Sequence, residues 1–152
     1  MTDDYGHWLH GAQLDFVIGH ELAHVQKKHA WKGMSAIAGS VAFLMAVALA
    51  LGPLASSWKV ALNFTAAFVP LLAFYALSRR FEYESDRIAV DAMEQGGMAI
   101  QALTNLYSRV GFPPTSSFVG ELFSTHPSLS RRIGRIGNME KGQKGVVAAG
   151  SF

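Results

Sequence analysis

Apolar positions at the start of the chain follow a helical beat. Leu14, Val17, Ile18, Leu22 and Val25 recur at helical spacings with no internal proline, which predicts a helix in the segment ending near residue 32. Gly19 is its weak point, because a glycine inside a helix costs about 1 kcal/mol. The pattern then changes to two nearly unbroken apolar stretches, 33–58 and 60–78. Each approaches the roughly 20 residues that a helix needs to cross a bilayer. Gly52-Pro53 breaks the first stretch, Ser56-Ser57-Trp58-Lys59 reads as a short interfacial turn, and Pro70 should kink the second. Small residues such as Ala36, Ala38, Gly39, Ala42 and Ala46 would let the two helices approach closely. Polar residues return at 79, predicting a helix over 79–95 stopped by Gly96-Gly97 and another over 98–110. A loop containing Ser124-Thr125-His126-Pro127-Ser128 leads into a short basic helix near 129–136, and the Gly- and Lys-rich tail from 138 reads as disordered. The expected fold class is mainly α, in four regions: 1–32, 33–78, 79–137 and 138–152.

Composition sharpens this picture. The 152 residues are 50% hydrophobic and only 16% charged, too apolar for a disordered chain. A formal charge of +2 is too small and dispersed to argue for nucleic acid. With no cysteine, disulfides, thiolate metal sites and cysteine nucleophiles are excluded, so a metal site must use His, Asp or Glu. Between residues 33 and 78 the only charge is Lys59, whereas Lys27, Lys28 and Lys32 precede the apolar region and Arg79, Arg80 and Arg87 follow it. By the positive-inside rule, a transmembrane hairpin here has both ends in the cytoplasm and its tip outside. The competing reading is a hairpin buried in a soluble protein, but the rest of the chain is barely large enough to wrap it.

The candidate chemistry is His20-Glu21-Leu22-Ala23-His24. Residues four apart stack on one helix face, so His20 and His24 can grip one Zn²⁺ while Glu21 takes a proton from the water that the ion activates. The motif alone also arises by chance and needs a third ligand. Glu82 and Asp86 supply candidates one turn apart: Glu82 would ligate, and Asp86 would accept a hydrogen bond from the far nitrogen of a ligand histidine, most naturally His20. Glu84 reads as a solvated acid. His7 and His10 read as an exposed terminus, and His29, five residues beyond His24, as a structural histidine rotated off the ligand face, with Trp31 a headgroup anchor. On its residues alone His126 is a loop histidine before a helix start.

Together these segments resemble the gluzincin zinc endopeptidases of the HtpX and CAAX-prenyl-protease type, peptidase family forty-eight of the metallo class. The matching pieces are the His20–His24 motif, the apolar hairpin, Ser78-Arg79-Arg80-Phe81-Glu82-Tyr83-Glu84-Ser85-Asp86 and Ser124-Thr125-His126-Pro127. The resemblance implies zinc ligands His20, His24 and Glu82, with Glu21 as general base and acid. It aligns His126 with a histidine that stabilises the oxyanion or donates a proton. It also implies an active-site helix and a glutamate helix joined by a two-helix transmembrane hairpin. Family members carry a strand region before the active-site helix, whereas the 19 residues before His20 show no strand-like alternation. The chain is therefore expected to correspond to the C-terminal part of such an enzyme, without the N-terminal strands.

The function expected from this is a membrane-integral zinc metalloendopeptidase, one Zn²⁺ per chain, in a bacterial inner membrane with its catalytic part in the cytoplasm. Its partners would be the lipid bilayer and a protein or peptide substrate, in membrane protein quality control or processing. The alternatives are a truncated, non-catalytic zinc-binding membrane fragment, and a structural two-helix membrane protein whose histidine motif is accidental.

Overall fold

The computed structural model describes residues 11–50, 56–93 and 95–149. Among them the chain forms α1 (Ala12–Gln26), α2 (His29–Ala50), α3 (Ser56–Met93), α4 (Gly96–Val110), α5 (Phe118–Leu122) and α6 (Leu129–Ala149), and no strand. The mainly α class is what the hydrophobic periodicity implied; the layout within it differs in several places.

The buried row of α1 is Phe16, His20 and Ala23, positions i, i+4 and i+7 of one face. Of the expected apolar stripe, Val17 packs against the core, whereas Leu14, Ile18, Leu22 and Val25 are exposed. A histidine in the middle of the true inner row hides it from any count of apolar residues. α1 packs on α3 and α4. A Cβ added at Gly19 would lie 3.5 Å from the Ala89 Cβ, so the glycine sits where α1 and α3 approach closely.

The helix expected to reach residue 32 ends at Gln26. Its last carbonyls are taken by a tight turn, Lys27 N to Ala23 O at 2.9 Å and Lys28 N to Val25 O at 3.0 Å. Lys28 then adopts a left-handed backbone conformation (φ 54°), unusual for a residue with a Cβ, and α2 starts afresh at His29. This reversal changes the neighbours of His29, as described below.

α3 runs 38 residues through Pro70 and joins the second apolar stretch to the helix carrying Glu82 and Asp86. The expected turn at Ser56–Lys59 is therefore the first turn of α3, and Gly52-Pro53 lies outside the described residues. α2 lies along α3, with Gly33 facing Phe74. Among the described residues one helix, His29–Ala50, is long and apolar enough to cross a bilayer, and almost none of it is buried.

The core forms where the C-terminal half of α3 meets α1, α4 and α6, around Phe16, Val90, Leu103, Tyr107 and Ile136. Gly96 and Gly97 open α4 rather than close the preceding helix, and Gly111 ends α4 in the left-handed conformation (φ 73°) that glycine adopts freely. α6 does not stop near 136 but continues to Ala149. Met139 packs against the core, and the Glu140 carboxylate accepts a hydrogen bond from Gly97 N at 3.0 Å. That places a negative charge at the N-terminal end of α4, where the helix dipole favours it. These contacts tie residues 139 and 140, at the start of the segment expected as a tail, to the bundle. Residues 150–152 lie outside the described residues.

Candidate metal centre

His20 and His24 project from one face of α1, with their Nε2 atoms 3.2 Å apart. Glu82, from the middle of α3, closes the set: its Oε2 lies 3.5 Å from His20 Nε2 and its Oε1 3.4 Å from His24 Nε2. A tetrahedral ion with bonds of about 2.0–2.1 Å holds its ligand atoms about 3.3 Å apart, close to the spacing of the two Nε2 atoms and to that of each Nε2 from its nearer Glu82 oxygen. The three side chains form a group able to hold a metal ion. Glu82 is buried, and its Oε2 makes no well-formed hydrogen bond among the described residues. A buried carboxylate whose two oxygens face the Nε2 atoms of His20 and His24 is an environment that a cation satisfies. These residues fit zinc.

Beyond this triangle, His20 Nδ1 lies 3.0 Å from Asp86 Oδ1. Asp86 is in turn held by both arms of Arg132, with Nε to Oδ2 at 2.8 Å and Nη2 to Oδ1 at 2.5 Å. Arg132 Nη1 also reaches Glu82 Oε2 at 3.3 Å. Burial pushes the Glu82 carboxyl up, but hydrogen bonds from His126, His20 and His24 and the Arg132 charge outweigh it and hold the carboxyl well below the usual range. Asp86 follows the same logic: burial raises it, and His20 and Arg132 more than reverse that. Burial lowers His20, yet the two carboxylates beside it win and hold its pKa above the usual histidine value.

His126 reaches the same carboxylate from the opposite side, Nδ1 to Glu82 Oε1 at 3.2 Å, with its ring more than half exposed. The hydrogen bond to Glu82 raises its pKa, with burial opposing. Its loop is fixed at several points. Ser124 Oγ accepts from His126 N at 3.2 Å and donates to His126 O at 2.7 Å. Tyr107 donates to Pro127 O at 2.8 Å. Arg79 Nη1 donates to the carbonyls of Glu121 and Ser124 at 2.6 and 2.9 Å.

Residues 7–140 match Peptidase family M48. The chain belongs to that family. A relative from Acaryochloris marina (strain MBIC 11017), named Protease HtpX homolog, is 27% identical over 169 aligned residues, which cover 93% of this chain and 58% of the relative. The chain thus spans less than two thirds of that relative's length. No solved structure is significantly similar to it.

In this M48 chain the triangle sits between two cavities. One, about 920 Å³, is lined by Glu21, His24, Glu82 and His126 and extends past Trp31, Met34 and Phe74 toward the apolar helices. The other, about 300 Å³, lies on the α4 side, between Phe16, Val17, Leu103, Leu106 and Tyr107. Glu21 and His126 border both. Sequence reasoning missed Arg132, although a signal existed: it falls three residues after Leu129 and four before Ile136, on the inner face of α6. It also missed the placement of His29, which depends on the turn at Lys28, and the helix α5, too short to leave a periodicity. His7 and His10 lie outside the described residues.

Proposed function

We propose that this chain is a membrane-integral, zinc-dependent metalloendopeptidase, with His20, His24 and Glu82 holding the ion. The observation that carries the proposal is the His20–His24–Glu82 group, its two Nε2 atoms 3.2 Å apart and each within 3.5 Å of one Glu82 oxygen, facing a cavity that Glu21 and His126 also line. When bound, the ion would polarise the scissile carbonyl and bring the pKa of a water toward about 7. Glu21, exposed at the cavity rim, takes that water's proton and passes it to the leaving amine. His126 turns a donor toward the oxygen on which negative charge develops. Asp86 and Arg132 keep the His20 ring aligned and Glu82 ionised.

Membrane integration is supported by the exposure of the α2 surface, with Trp31, Phe43, Met45 and Leu49 open to the surroundings, and by Phe64 and Phe68 of α3. Water does not tolerate so large an apolar surface on a monomer. The larger cavity opens beside these helices, so an extended apolar segment emerging from a bilayer would reach the site directly. Misfolded membrane proteins or unfolded segments are the substrates this geometry suits.

The test is casein cleavage by the detergent-purified, zinc-loaded chain beside its Glu21→Gln variant, with zinc content measured in both. Cleavage by the parent alone, at equal zinc content, supports the mechanism. Full activity in the variant would sink it. If both hold zinc and neither cuts, the chain is a non-catalytic metal-binding unit.

A further inference from the structure

His29 occupies a position that the proposed chemistry has not yet used. It is the first residue of α2, buried to 3% exposure, and the left-handed turn at Lys28 folds it back against α1. Its Nδ1 lies 3.2 Å from His24 Nδ1. Its ring stacks on Phe81, with centroids 4.3 Å apart and planes within 8°, and meets the His24 ring edge-on at 86°. Ser85 Oγ lies 3.4 Å from the same Nδ1, and on the far side His29 Nε2 is 3.4 Å from Glu84 Oε2, close to its charge though not in a well-formed hydrogen bond.

The proton count on these rings is fixed once His24 ligates through Nε2. A neutral imidazole carries one N–H, so His24 must carry its own on Nδ1. That N–H points at His29 Nδ1, which must then accept it. The His29 proton therefore sits on Nε2, toward Glu84, and the Ser85 hydroxyl is free to donate elsewhere. We propose that His29 is the positioning residue for His24: it accepts the Nδ1 proton and holds the ring with Nε2 turned to the metal, while Glu84 keeps His29 in its accepting tautomer. Each ligand histidine then has its own anchor, Asp86 for His20 and His29 for His24. Outer partners of this kind commonly account for about 10–100-fold in metal affinity. The inference rests on the reading of His24 as a ligand.

The variants separate acceptor from packing. His29→Phe keeps the aromatic stack on Phe81 but cannot accept a hydrogen bond; His29→Asn restores a carbonyl oxygen near the Nδ1 position. Zinc affinity is measured on the full chain in detergent by chelator competition, and ligand geometry by the visible spectrum of the cobalt-loaded protein. Expected for His29→Phe are unchanged helical content, an affinity loss of about 10–100-fold and an altered cobalt spectrum, with His29→Asn recovering most of both. Wild-type affinity in a folded His29→Phe overturns the proposal. His24→Ala runs beside these. If it binds zinc as tightly as the parent, the ligand assignment fails; if it loses zinc while His29→Phe does not, only the positioning role fails. Should His29→Phe not fold, the zinc-loaded parent labelled with ¹⁵N still decides. A through-bond coupling between the Nδ1 atoms of His24 and His29 is expected, and its absence overturns the proposal.

Discussion

At the scale of single residues, the centre depends on one guanidinium. Arg132 is buried and bridges two carboxylates, Asp86 and Glu82, that would otherwise face each other across a dry interior. Removing one partner of such a network leaves charge buried and uncompensated, which typically costs about 3–5 kcal/mol. Arg132→Met is therefore expected to lower the stability of the metal-free chain by that amount, read from thermal or denaturant unfolding in detergent. Arg132→Lys should recover only part of it, because an ammonium cannot make the two-armed contact with Asp86. A loss below about 1 kcal/mol for Arg132→Met would mean that water reaches the site and screens it. Asp86→Asn leaves Arg132 buried with less counter-charge and weakens the anchor on His20. It is expected to reduce zinc affinity by about 10–100-fold, measured by chelator competition.

At the scale of elements, the same residues show what a linear reading can reach. His20 and His24 are neighbours on one helix turn, so their convergence follows from spacing alone. Glu82 and Asp86 share a face of one helix for the same reason, although only the fold brings that face to α1. Arg132 comes from α6, and its approach depends on how α6 crosses α3, which no local pattern encodes. The neighbours of His29 are not legible in a linear reading, because one left-handed residue, Lys28, redirects the chain just before it. The inner face of α1 is hidden from an apolar count because His20 holds its central position. Gly19 tests the packing side of this. A Cβ there would meet Ala89 at ordinary contact distance, 3.5 Å, so Gly19→Ala gains helix propensity without a clash. It is expected to stabilise the chain by about 0.5–1 kcal/mol, and a destabilisation would show that α1 and α3 sit closer than described. The loop carrying His126 offers a pH test. Burial raises the Glu121 carboxyl, but hydrogen bonds from Ser128 and the nearby Arg131 hold it below its ordinary value. A carboxyl lowered by folding contributes stability that is complete above its unfolded pKa, near 4.5, and is lost as pH falls through the lower folded value. Limited proteolysis of the 112–128 loop should therefore rise as pH drops below about 4.5, and Glu121→Gln should remove that dependence.

At the scale of the whole molecule, the helical bundle containing the His20–His24–Glu82 group is joined to α2, an apolar helix almost none of which is buried, and to the first half of α3. α2 starts at His29, a neighbour of that group, and α3 returns through Phe81 and Glu82. On the proposed membrane reading, both segments would enter a bilayer from the side of the bundle where they join it. The charges agree: Lys27, Lys28 and Lys32 stand at the start of α2, Arg79, Arg80 and Arg87 flank the centre on α3, and Lys59 is alone at the far end. If the proposed hairpin crosses a bilayer, the positive-inside rule predicts the bundle on the cytoplasmic side and Lys59 outside. Reporter fusions make this a sharp prediction. An alkaline phosphatase fused near Ser57 should be active, because that enzyme folds in an oxidising compartment, whereas the same reporter fused after Arg135 should be inactive. A cytoplasmically active reporter at Ser57 would reverse the orientation or replace the crossing with two helices lying along the membrane surface. Extraction at alkaline pH separates those two outcomes, since a spanning hairpin stays with the lipid and a surface-bound pair does not. The orientation matters for the proposed chemistry, because with the bundle on the cytoplasmic side the His20–His24–Glu82 group would meet only chains that lie at, or leave, that face.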